Sequence, residues 1–287
     1  MPQIPFDAEK VGRRFAPRVY FHPEENYLPS NVPWFLRRVR LYHITALHAR
    51  GVPRPQLILG KGRVTVNNLS TRSRKGDKSW EKRKYGAFYL TIPPDNDVWQ
   101  TRYGHLPSAS CYCHVQPSTT AGRWWLAYFF FYPFNGSISK SVEITHEGDW
   151  EHVRVEVDKA GSKMYRLYCA AHAGGKWFRR ATDRRTGFRC LGKTHPIVYS
   201  ARDSHASYVT GGKQHRRYLP DDWTGKGLKM DCWKDAHFEL LGNKAAPPSG
   251  QDWLRYGGFW GRLGAGIPLI PDRGPMGPAY KKWWRDC

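Results

Sequence analysis

Three features of the sequence predict a mainly β protein, folded as a single β-sandwich domain over residues 1–287 with long irregular basic loops and few short helices. Trp124 to Phe134 (WWLAYFFFYPF) is an unbroken aromatic run, as expected of a strand buried on both faces. His152 to Asp158 alternates, with Val153, Val155 and Val157 on one side and His152, Arg154 and Glu156 on the other. Few stretches approach a helical period, and no linker or internal repeat divides the chain. With 40% hydrophobic and 15% aromatic residues, the chain has enough apolar surface for one sizeable core, which excludes a disordered polypeptide.

In chain order, residues 1–35 are expected to wrap the core as an extended segment, because Pro17, Pro23, Pro29 and Pro33 oppose helix. Val32 to Ala49 spaces Phe35, Val39, Tyr42 and Ala46 close to a helical period and is the best helix candidate. Residues 60–85 turn polar and basic and read as a loop excursion. The strand His152 to Asp158 should form a hairpin with Met164 to His172 across a short glycine-containing turn. His195 to Ala201 is a further short strand. The segment 250–287, rich in Gly, Pro and Trp, reads mostly as loop, with Trp253, Trp260, Trp283 and Trp284 as core rings or interfacial anchors.

Forty-six Lys and Arg against 24 Asp and Glu leave a formal charge of +22, which favours an anionic surface, an anionic substrate or nucleic acid as partner. The excess clusters at Arg72 to Lys84 and at Lys176 to Lys193, runs that read first as solvated loops. Arg202, Arg179 and Arg180 are the candidate anion-binding side chains. No signal peptide and no uncharged apolar run long enough to cross a bilayer is seen, so a cytoplasmic protein, or one released by a non-classical route, is expected. Six dispersed cysteines fit no disulfide framework or zinc knuckle and are expected to be reduced.

The chemistry concentrates in two segments expected to be turns beside strands. THEGDWEHV supplies His146, Asp149 and Glu151, and ARDSHASY supplies Asp203 and His205. Strand alternation places Asp149 and Glu151 on one side, where two carboxylates can chelate a hard cation and His146 can close the site. Magnesium, calcium or manganese suits such ligation better than zinc. The plainer reading is that these groups cap turns or pair with arginines, with Asp203 in an Asx-turn and His205 a satisfied core histidine. The meeting of both segments is what makes His146, Asp149, Glu151, Asp203 and His205 candidates for catalysis.

Five ordered blocks, APRVYFHPEENYLPSNVPWF, AYFFFYPFNG, HEGDWEHVRVEV, HPIVYSARDSHASY and GPMGPAYKKWW, resemble the motifs of the vacuolar protein sorting-associated protein sixty-two-like family almost from end to end. HEGDWE is also similar to the GHRHDWE heptapeptide of the necrosis-inducing cytolysins, which have an actinoporin-like β-sandwich and bind a divalent cation at a membrane-facing site. By position, that resemblance makes His146, Asp149 and Glu151 the cation-binding groups. Gly148 replaces the second histidine of the heptapeptide, and Asn135 is the nearest oxygen donor where the cytolysins have an upstream aspartate.

Three functions follow as expectations. The first is toxin-like, divalent-cation-dependent recognition of an anionic or glycolipid surface. The second is a metal-dependent hydrolase of a phosphoester or other anionic substrate. The third is an enzyme of specialised metabolism with an aromatic-lined pocket. The spacing identifies no nucleophile, and there is no GxSxG elbow, so enzyme and binding protein both stay open.

Overall fold

The computed structural model describes residues 3–44, 55–69, 87–136, 145–172, 174–181, 187–216, 220–234, 236–262 and 274–287. The aromatic run becomes β6 (Arg123–Asn135), an inner strand of a six-stranded sheet. Its order is β16 (Phe238–Leu241), β5 (Cys111–Pro117), β6, β7 (His146–Asp158), β8 (Met164–Ala171) and β9 (Gly174–Arg179). Neighbours are antiparallel except β16, which runs parallel to β5.

Both faces of β6 are covered, which is why every second residue need not be polar. On one face Tyr128, Phe130 and Tyr132 join Val153, Val155, Val157 and Leu167. These meet Val19, Val198 and Met230 of a second sheet, ordered β10 (Cys190–Leu191), β11 (His195–Ser200), β1 (Arg18–Tyr20) and β15 (Lys229–Asp231), with β12 (Ser207–Tyr208) paired to β11. On the other face Ala127, Phe129, Phe131 and Trp150 pack against Phe35, Leu41, Leu90, Trp253 and Trp260. That layer comprises α2 (Val32–Leu36), a small sheet β3 (Gln56–Leu59), β2 (Arg40–Ile44) and β4 (Ala87–Thr91), and a 3-10 turn at Asp252–Arg255. Phe129 and Phe131 are fully buried, each stabilising the fold by roughly 1.5–3 kcal/mol. The fold is mainly β, and the described residues contain four α-helices of eight residues or fewer.

The hairpin of β7 and β8 and the strand β11 form as expected. Elsewhere the structure departs from the expectations. The helix expected over Val32 to Ala49 stops at Leu36, and Arg40–Ile44 pairs with Ala87–Thr91 instead; residues 45–54 lie outside the described set. The N-terminal wrap contains α1 (Ala8–Phe15), started by Asp7 accepting the Lys10 N–H at 2.9 Å and anchored through Val11 and Phe15. HEGDWE is no turn: it is the first half of β7. Trp253 and Trp260 are buried, and Trp283 and Trp284 stack on Phe129 and His114, so all four pack inward. The run Arg72 to Lys84 lies outside the described residues. No helix among the described residues is long and apolar enough to cross a membrane. All six cysteines are free thiols.

Candidate functional site

An unbroken strand would put Glu147, Asp149 and Glu151 on one face. Gly148 interrupts that regularity with φ +67°, a left-handed conformation that glycine adopts without steric cost. A Cβ there would also stand 2.1 Å from the Trp260 carbonyl oxygen. As a result the Glu147 carboxylate turns toward the Trp260 layer and accepts the Ile92 N–H at 3.1 Å, while Asp149 faces the second sheet with Tyr132. His146 donates from Nδ1 to the Gly148 carbonyl at 2.8 Å.

Past the end of β11, Ala201 bridges to Thr224, and the chain then doubles back through two non-glycine residues with positive φ, Asp203 (62°) and His205 (57°). Such backbone costs about 1–3 kcal/mol per residue and persists only where the surroundings over-determine it. Here the Asp203 carbonyl accepts the Gly136 N–H at 3.0 Å, and the His205 N–H donates to Ala201 at 3.0 Å. The imidazole of His205 then stacks on Tyr132, with centroids 3.8 Å apart and planes 5° from parallel. Its Nδ1 donates to Asp149 Oδ2 at 3.0 Å, and Asn135 Nδ2 donates to the same oxygen at 3.2 Å. The two segments singled out in the sequence therefore do meet.

Nε2 of His205 is buried without a hydrogen-bond partner, 3.9 Å from Glu25 Oε1. Glu25 accepts the N–H groups of Tyr27 at 2.7 Å and Asp203 at 2.8 Å. A second acid, Asp222 on β14 (Asp222–Thr224), has no solvent exposure and takes the Ser204 hydroxyl at 2.8 Å, the Tyr208 hydroxyl at 2.6 Å and His172 Nε2 at 2.7 Å. Sequence reasoning missed both acids. The pairs HPEEN and PDDW were the available signals, but nothing local says that residues 25 and 222 adjoin residue 149.

The electrostatics of the cluster are divided. Burial, and then the negative charge of Asp149, push Glu151 well above the usual carboxylate range. Burial also raises Glu25 and Asp203. Burial works the same way on Asp149, but the hydrogen bond from His205 and the charges of His146 and His205 outweigh it and hold Asp149 below its ordinary value. For His205 burial favours the neutral ring, and the bond to Asp149 and the charge of Glu25 overcome it, so its affinity for a proton rises. Asp149 and His205 are thus a buried hydrogen-bonded pair in which each partner favours the charged form of the other. Among the described residues, no Lys or Arg is in ion-pair contact with Glu25 or Glu151; His205 faces Glu25, and the charge of Lys281 opposes the rise in Glu151.

Other sequence candidates lie elsewhere or are engaged. Arg202 pairs with Glu24 and, at 3.4 Å, with Asp203. Arg179 stands in register with Arg166 and so with Glu156, toward the other end of β7 from Asp149. Arg180 donates to the Lys193 carbonyl at 3.2 Å. Ser204 donates to Asp222, so it forms no nucleophile–base pair with His205. For a metal, the chemistry and charge of the donors suit a hard cation, and His205 Nε2 is a buried atom in want of a partner. The spacing is not that of a formed metal cage: among the described residues no three His, Cys, Asp or Glu side chains converge as ligands, and Asn135 directs its amide nitrogen at Asp149.

Comparison with known proteins places the chain in a family. The model of the vacuolar protein sorting-associated protein 62 family matches residues 1–238. The chain belongs to that family. Its relatives include two proteins of Saccharomyces cerevisiae, the putative vacuolar protein sorting-associated protein TDA6 and vacuolar protein sorting-associated protein 62. The first is 25% identical over 93% of this chain and 65% of the relative. The second is 26% identical over 94% of this chain and 67% of the relative. This member thus spans about two thirds of the length of those relatives. Solved structures with similarity to this family member include Necrosis and Ethylene inducing Protein 2 from the causal agent of cocoa's Witches Broom disease, with 17% identity, a TM-score of 0.38 and coverage of 73% of this chain and 72% of that one. Another is NLPPya in complex with glucosamine, with 15% identity, a TM-score of 0.37 and coverage of 83% and 75%.

Proposed function

We propose that this chain is a recognition module in which the recess of Glu25, Asp149, Glu151, Asp203 and His205 takes up a divalent cation and uses it to engage an anionic or glycolipid surface. The observation that carries the reading is the cost of the crowded acids. In a protein of formal charge +22, Glu25 and Asp149 share the imidazole of His205, and half-buried Glu151 beside them has no Lys or Arg in ion-pair contact among the described residues and meets Lys281 through its longer-range charge. A bound Mg, Ca or Mn ion would relieve that cost and supply open coordination positions for head-group oxygens. Long-range attraction to the surface would come from the basic exterior.

Calorimetric titration of the full chain with each metal tests the proposal directly. Uptake should be strongly reduced, by roughly tenfold or more, in Asp149→Asn and in Glu151→Gln, which keep side-chain shape while removing charge. Because the ion competes with protons on His205 and Glu151, binding should release protons and weaken as the pH falls. A parent chain that binds none of the three ions sinks the reading.

A further inference from the structure

β7 carries an opposite array on its other face. His152 and Arg154 project away from Asp149 and Glu151, and they are only 6% and 7% exposed. Neither imidazole nitrogen of His152 has a hydrogen-bond partner, nor does Nε of Arg154. Buried polar atoms in native folds are nearly always satisfied, so three orphaned nitrogens on two neighbouring side chains point to a ligand.

The two groups share their walls. The Trp283 ring lies 4.8 Å from the His152 ring and 4.5 Å from Arg154 Cζ, and the Tyr168 ring lies 5.8 Å and 4.1 Å from them. Trp125 and Trp177 flank the guanidinium at 4.6 and 5.2 Å. These ring faces and a side-chain hydrogen bond with Tyr168 offset part of the cost of burying Arg154, but Nε is left without an acceptor. Lys281, whose Nζ donates to the Trp150 carbonyl at 3.3 Å, adds a second cation close enough for its charge to act on His152. The acid of this face is already committed, since Glu156 holds Arg123 and Arg166 at 2.8 Å each. Among the described residues no carboxylate is in ion-pair contact with Arg154 or Lys281, although the charge of Lys281 also reaches Glu151.

An oxyanion supplies hydrogen-bond acceptors and counter-charge together, and a dianion with three terminal oxygens matches two cationic donors and an imidazole N–H. We propose that His152, Arg154 and Lys281 form a binding site for a phosphate monoester, entered beside the half-buried Trp283. This site lies across the sheet from the acidic recess and does not rest on the cation reading.

The test uses the full chain in the presence of a chelator, which silences the acidic recess. Phenyl phosphate and inorganic phosphate are titrated by calorimetry, and phosphatidylcholine vesicles with and without phosphatidic acid are tested by flotation. We expect saturable binding that weakens by about tenfold in Lys281→Gln and in Arg154→Leu, and that is unchanged in Lys282→Gln, an exposed neighbour losing the same charge. Binding of the soluble probes identifies a free monoester as the ligand; binding confined to phosphatidic acid vesicles identifies a lipid head group. Should Arg154→Leu fail to fold, the comparison of Lys281→Gln with Lys282→Gln still decides. Equal effects of those two variants, or no binding of any phosphate probe, overturns the proposal.

Discussion

At Glu156 one buried carboxylate accepts from two guanidiniums and a hydroxyl: Arg123 at 2.8 Å, Arg166 at 2.8 Å and Ser118 at 2.6 Å. Burial opposes its ionisation, yet the bonds from Arg166, Ser118 and Arg123 prevail and bring it from 4.5 down to about 2. A depressed acid stabilises the fold fully above its unfolded value and loses that contribution as the pH falls through its folded one. The parent should therefore lose stability between about pH 4.5 and pH 2, by roughly 3 kcal/mol from this group. Glu156→Gln should flatten that limb in urea melts taken across the range, and an unchanged acid limb would remove Glu156 as its source. The Asp149 and His205 pair is different in kind, since both partners are buried and each holds the other charged. Removing one leaves the other as an uncompensated buried group, which is why charge-neutral isosteres are preferable there to alanine.

At the scale of elements, β7 depends on a single backbone kink. Replacing Gly148 with alanine forces a side chain into a left-handed conformation and against the Trp260 carbonyl 2.1 Å away. We expect Gly148→Ala to lower the unfolding free energy by more than about 2 kcal/mol, measured by urea denaturation, because both the backbone and the contact are unfavourable. The strands that build this region were legible beforehand where the pattern is strong: the aromatic run gave β6 and the alternation after His152 gave most of β7. Pattern failed where pairing decides. Val39 and Tyr42 suit a helix face while Val39 and Leu41 suit a strand face, and it is the antiparallel partner Ala87–Thr91, far along the chain, that makes Arg40–Ile44 a strand. Likewise Asp7 and the Glu9–Arg13 ion pair start α1 in the proline-free stretch between Pro5 and Pro17.

Across the whole molecule, the recess is assembled from residues 25, 135, 149, 203, 205 and 222, held together by three strands and their flanking turns. Asp149 and His205 could be read from the sequence because each sits in a dense polar motif. Glu25 and Asp222 could not, because their importance arises only from long-range packing. The basic exterior and the acidic recess should also respond differently to salt. Attachment of the chain to anionic vesicles should weaken steeply as ionic strength rises past about 0.1 M, where the screening length falls to about 10 Å, while metal uptake in the buried recess should change little. Parallel loss of both, followed by flotation and calorimetry in the same buffers, would show that uptake occurs on the exposed surface instead. Because β7 sends Asp149 and Glu151 to one face and His152 and Arg154 to the other, with both faces buried, it also behaves like a reading frame. Substitutions leave it in phase, but gaining or losing one residue between Glu151 and His152 would exchange the chemistry of the two faces beyond that point, so lineages sharing this arrangement should vary in β7 by replacement and not by length.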